Sequence, residues 1–167
     1  MPNNKPPLWD GIEYKSSVIT RLCSSQPLLG LLADDPGLDI DSDRAYRVTD
    51  ECIFDFNYID RTVERSDAFI MIDADMIAPT SGTMNEWDLY VQVVCHKGFV
   101  ALDSKKFKGV RGNRTDNIIC QIDQLLNGTR IFGIGRLTLQ SCTVAVVPDS
   151  FTSKLLTYRV EEFRRER

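Results

Sequence analysis

Trp87-Asp-Leu-Tyr-Val-Gln-Val-Val-Cys95 is the stretch from which the fold can be read. Leu89, Val91, Val93 and Cys95 fall on one side of an extended chain, and Asp88, Tyr90, Gln92 and Val94 on the other. Strict alternation of this kind sends successive side chains to opposite faces, and it predicts the strongest strand in the protein. Upstream, Ala68-Phe-Ile-Met-Ile72 is rich in large and β-branched apolar residues and reads as a second strand, with Pro79-Thr-Ser-Gly82 as the loop between them.

Downstream of the first strand, residues 97–114 form a glycine-bearing loop with six Lys/Arg against one Asp, a local balance of 6 − 1 = +5. A helix is expected from Asn117 to Asn127. Ile118, Ile119, Ile122, Leu125 and Leu126 share one side, and Asp116, Gln121, Asp123 and Gln124 the other. Asn113 or Thr115 is placed to cap its start and Gly128 to end it. Two short strands are then expected around Leu137–Leu139 and Cys142–Val147, followed by a last strand over Thr152–Val160 that groups Leu156, Tyr158 and Val160.

Towards the N-terminus the period changes. Val18, Ile19, Leu22 and Cys23 recur at helical spacing within Ile12–Ala33, and Pro27 divides that stretch in two. Residues 1–11, with three prolines, read as an irregular arm anchored by Leu8 and Trp9. The segment from Asp34 to Asp67 holds eleven Asp/Glu against four Arg, a balance of 4 − 11 = −7. Within it, Ala45–Val48 and Cys52–Tyr58 read as extended. The order helix, strands, helix, strands predicts an α/β (α+β) domain: a mainly antiparallel or mixed β-sheet with two principal helices packed on one face. The division is an arm over 1–11, one domain over 12–160 and a charged tail over 161–167.

Composition narrows the function. A chain of 167 residues with 43% hydrophobic and 26% charged residues is ordinary globular protein. Its net charge of −4 excludes a surface that is basic throughout, as a general nucleic-acid grip requires. No apolar run is long enough to span a membrane, and the opening MPNNKPPLWDG has no apolar h-region. Five cysteines without CxxC spacing read as reduced thiols, and the single histidine, His96, leaves little for a metal site or a triad.

The local constellations are weak as chemistry. Asp39, Asp41 and Asp43 have the opening spacing of a calcium loop, but Arg44 stands where its glycine belongs and Asp50 where its glutamate does. A solvated acidic loop is the default. Asp73 and Asp75 point the same way after a strand, yet no His, Lys or Glu cluster accompanies them; a strand end turning into solvent suffices. Cys95 and His96 are neighbours on a strand, which sends them to opposite faces and denies them a thiol–imidazole bond. Gly133-Ile-Gly135 follows a helix rather than a strand and lacks the third glycine of a dinucleotide loop. Lys105, Lys106, Lys108, Arg111 and Arg114 suit a phosphate, an acidic protein surface or plain solvent. No catalytic residue, metal ligand or cofactor is expected.

Taken together, several strings resemble a known family. They are the strand and turn Trp87–Gly98, the helix Arg114–Gly128, Phe132-Gly-Ile-Gly-Arg-Leu-Thr-Leu139, the strand near Leu156–Val160, and the early helix Tyr14–Leu22. In order, length and phrasing they resemble the small neck proteins of tailed bacteriophages, most nearly the tail-terminator family, over residues 12–160. The resemblance implies a non-enzymatic virion protein, made in the host cytoplasm and built into the tail or neck. It implies a homo-oligomeric ring, expected to be a hexamer, that caps the tail tube and stops its polymerisation. The implied partners are the tube protein, a sheath protein and the head–tail connector or stopper, with DNA passing through the lumen unbound. A head-completion, stopper or portal-adaptor protein is the nearest alternative; a small hydrolase or a nucleic-acid-binding module lies further off. A ring needs two different mating flanks. The two charged segments supply candidates, with Lys105, Lys106, Lys108 and Arg111 on one flank and Asp39, Asp41 and Asp43 on the other.

Overall fold

In the computed structural model the described residues are 8–56, 67–81, 84–130 and 135–163. They form helices α1 (Leu8–Cys23), α2 (Gln26–Ala33), α3 (Asp43–Cys52) and α4 (Arg114–Leu126). The strands are β1 (Ile53–Phe54), β2 (Ala68–Ser81), β3 (Met84–His96), β4 (Thr138–Val144) and β5 (Phe151–Phe163). They make one mixed sheet in the order β1-β2-β3-β5-β4; β1 runs parallel to β2, and every other pairing is antiparallel.

The alternation of the central strand does what its sequence requires. Trp87, Leu89, Val91, Val93 and Cys95 join Ile70 and Ile72 of β2 and Leu156, Tyr158 and Val160 of β5 in the main core. α1 and α4 cover that face, contributing Tyr14, Val18 and Leu22 from one and Ile118, Ile122 and Leu126 from the other. α2 packs beside them through Leu28, Leu29, Leu31 and Leu32. Gly11 lets α1 approach the sheet: a Cβ there would stand 2.6 Å from the Trp87 ring. The opposite face carries a smaller apolar cluster of Phe69, Met71, Val94 and Phe151.

Five local expectations need correction. α1 begins at Leu8, and Leu8 and Trp9 are exposed on its first turn rather than anchoring an arm. Ala45–Val48 is helical: Ser42 caps α3 by accepting from the Ala45 amide, and Ala45 and Cys52 bury one side of it. Only Ile53 and Phe54 of the expected strand 52–58 pair, while Asn57 and Tyr58 lie outside the described residues. Pro79 lies within β2, where the register slips between Ile77 and Ser81; that irregularity accommodates a residue with no amide proton to give. The two strands expected near 137–147 are one strand, β4, with its register shift between Leu139 and Ser141. Gly133 lies outside the described residues.

Candidate assembly interface

The basic run and the acidic run meet each other within the chain. α2 ends at Asp34, which adopts a left-handed conformation (φ 54°, ψ 38°) and so turns its carboxylate back towards the loop before α4. Arg114, the first residue of α4, is 1% exposed. Its guanidinium donates to the carbonyls of Leu31 and Phe99 and to Asp34 Oδ1, and lies 3.8 Å from the centre of the Phe99 ring. Lys106 reaches the other oxygen of Asp34. Phe107 is buried beside them, 5.6 Å from the same guanidinium. Burial pushes the Asp34 carboxyl up, but the hydrogen bonds and charges of Lys106 and Arg114 outweigh it and hold its pKa below the usual carboxylate value. The 97–114 loop is therefore pinned to the end of α2 rather than projecting from the domain, and Arg114 is withdrawn from any partner or phosphate.

Part of each charged segment is thus used within the chain. Asp34 is neutralised by the basic run, and Asp35 by Arg44 at 2.7 Å. Once these pairs are subtracted, the exposed charges of the basic run are Lys97, Lys105, Lys108 and Arg111. Asp39, Asp41 and Asp43 are exposed too. Asp39 Oδ1 accepts the Asp41 amide and Asp43 sits in the first turn of α3, where the helix dipole favours an anion. The D-x-D-x-D spacing thus builds a turn and a helix start. No group of three or more metal-ligating side chains occurs among the described residues.

Other singled-out residues have structural partners. β2 continues past Asp73 and Asp75, so neither ends a strand. Lys15 lies 3.6 Å from Asp73, and Asp75 stands opposite Asp88, whose carboxylate is held by Arg159 at 2.8 and 3.0 Å. That pairing raises the Arg159 pKa. The buried Cys95 thiol is pushed up chiefly by desolvation, while His96 Nδ1 accepts the Gly98 amide at the turn that follows β3. Tyr158 is likewise pushed up by burial and by Asp123, whose carboxylate accepts its hydroxyl. A shallow groove on α1 is lined by Ser16, Ser17, Thr20, Arg21 and Ser24, all four hydroxyls donating to carbonyls of their own helix.

Sequence reasoning missed two exposed features. Leu8, Trp9 and Ile12 put an apolar patch on the first turns of α1 at 66%, 49% and 52% exposure. Val144 and Val146 stand out from the end of β4. Helical spacing marks the first, since 8, 9 and 12 share a side; the second is marked by an uncharged run from Leu137 to Pro148.

Fold and site together define an α+β chain of one mixed sheet whose conspicuous chemistry lies in internal charge pairs and exposed edges. The model of the YomW family matches residues 20–160, and the chain belongs to that family. No curated protein matches it. Among solved structures it is similar to a chain of the virion of the native gene transfer agent (GTA) particle, with a TM-score of 0.52 at 12% identity, over 90% of this chain and 94% of that one. At that identity the likeness bears on the fold.

Proposed function

We propose that this protein is a structural, non-enzymatic component of a phage-like virion, a tail terminator that closes into a ring on the end of the tail tube. The observation that carries the reading is the near end-to-end fold likeness to a chain of an assembled GTA virion. The sequence resemblance to tail terminators adds the particular place. In this role the ring, of six chains, halts tube polymerisation and presents its far surface to the head–tail connector or stopper. Tube protein and, in a contractile tail, sheath protein are the partners below it, and DNA passes through the lumen. The charge pairs support a scaffold role: Arg114, Asp34 and Lys106 lock a loop in place and leave Lys105, Lys108 and Arg111 as its outward charges. These act as rim contacts that steer and specify association more than they strengthen it.

The experiment is complementation of a particle lacking this protein. Wild-type chain restores tails of uniform length with heads attached. Lys105→Glu/Lys108→Glu/Arg111→Glu folds normally but leaves tubes uncapped. Lys106 is left intact because its ion pair is part of the fold. Normal tails and joined heads without the protein would overturn the reading.

A further inference from the structure

The start of β4 is tied back to the end of α4. Gly128 donates to the Leu137 carbonyl at 2.7 Å, Leu137 donates to the Thr129 carbonyl at 2.8 Å, and the Leu139 amide donates to Asn127 Oδ1 at 3.3 Å. Two of these bonds engage Asn127-Gly128, the pair that closes α4: Asn127 is its C-cap and Gly128 follows at φ 77°. Asparagine before glycine is a reactive pair. Glycine carries no Cβ, so its amide nitrogen reaches the asparagine side-chain carbon with little hindrance. Attack forms a five-membered imide and expels ammonia. Water then opens the ring at either carbonyl, leaving aspartate or isoaspartate. The balance is asparagine plus water to acid plus ammonia, and nothing is oxidised or reduced.

Asn127 is exposed, so water has access to it, yet the fold opposes each step before hydrolysis. Its backbone is extended (φ −64°, ψ 131°), which turns the Gly128 nitrogen away from the Asn127 Cβ, whereas ring closure needs the two eclipsed. The Gly128 amide proton, which must leave before the nitrogen can attack, is held by the Leu137 carbonyl. The side-chain amide is held by Leu139 on one side and by Asp123 Oδ2, at 3.5 Å, on the other. We infer that Asn127-Gly128 is a site of spontaneous deamidation that the α4–β4 junction keeps closed, and that modification proceeds only when this junction opens. The product does not fit back. It places a negative charge at the C-terminal end of α4, where the helix dipole disfavours an anion and the Asp123 carboxylate lies one turn away. Isoaspartate also inserts an extra carbon into the backbone between the two residues that end the helix. Deamidation thus makes the opening irreversible, and the modified chain loses the tie that starts β4.

The test incubates the full chain at mildly alkaline pH, in buffer and in urea, and follows Asn127 by peptide mass mapping with isoaspartate detection. Asn127 is expected to convert in urea and at least about tenfold more slowly in buffer, as for a group reached only through local opening. Leu139→Pro removes the amide that holds Asn127 Oδ1, at an edge-strand position whose N–H serves Asn127. It is expected to raise the rate in buffer towards the rate in urea and to leave the rate in urea unchanged. Leu139→Ala keeps the amide and stays near wild type, which separates loss of the N–H from loss of the side chain. Circular dichroism checks that both variants fold; should Leu139→Pro not fold, the wild-type ratio between buffer and urea decides. Equal wild-type rates in buffer and urea, an Asn127 that stays intact in urea, or a folded Leu139→Pro no faster than wild type would overturn the inference.

Discussion

Arg114 and Arg111 stand three residues apart in the same basic run and live in opposite worlds. Arg114 is sealed between α2, Phe99 and Asp34. Arg111 is exposed on a loop that the first residue holds in place. The same division separates Lys106, bound to Asp34, from Lys105 and Lys108 on either side of it. A run of like charge is therefore two things at once: a clamp that belongs to the fold and a set of outward charges that belong to whatever the protein meets. Adding up charge along the chain merges them.

The largest expected effect falls on the clamp. Arg114→Ala removes the buried member of its ion pair with the half-buried Asp34 and takes away the guanidinium that donates to the Leu31 and Phe99 carbonyls. The cost is about 3–5 kcal/mol of stability in urea unfolding, against less than about 0.5 kcal/mol for Arg111→Ala. Equal costs for the two would erase the distinction.

Asp34→Asn comes next. Asparagine tolerates the left-handed backbone but loses the charge that faces Arg114 and Lys106. Hydrogen bonds to charged groups suggest about 1.5–3 kcal/mol, at the low end here because the Asp34 side chain is 28% exposed. The sign with pH follows from the depressed carboxyl. Its contribution is fully present above the ordinary Asp value of ~3.9 and is lost as pH falls through the lower folded value. The stability gap between wild type and variant is thus widest near neutrality and closes in acid. A gap that widened below about pH 4 would contradict the assignment.

The smallest effect on stability, within about 0.5 kcal/mol, is expected for Lys105→Glu/Lys108→Glu/Arg111→Glu, whose consequences appear in association instead. Thermal melting checks the first part. A large drop in melting temperature would mean that these charges, too, belong to the clamp.

How much of this was legible beforehand depended on how long the pattern ran. The alternation over Trp87–Cys95 and the helical stripe of Ile118, Ile122 and Leu126 were long enough to be read, and both fell where expected. α3 was missed because a four-residue window, Ala45–Val48, hides the spacing of Ala45, Val48 and Cys52 that only the full helix shows. Pro79 and the irregular β4 misled for one reason: a register slip lets a strand pass through residues that locally signal its end. The candidate contact residues were read from charge alone. Charge along a chain does not reveal that Asp34 lies against Arg114, eighty residues away, because that contact is made by the left-handed end of α2 and the start of α4.

The central claim, a virion ring that ends the tail, is tested most directly by tube length. Purified tube protein is polymerised with and without this chain, and the products are measured by electron microscopy. The account expects short tubes with ring-shaped density at one end when the chain is present, and long tubes of scattered length when it is absent. Identical length distributions, with no density at the tube ends, would contradict it.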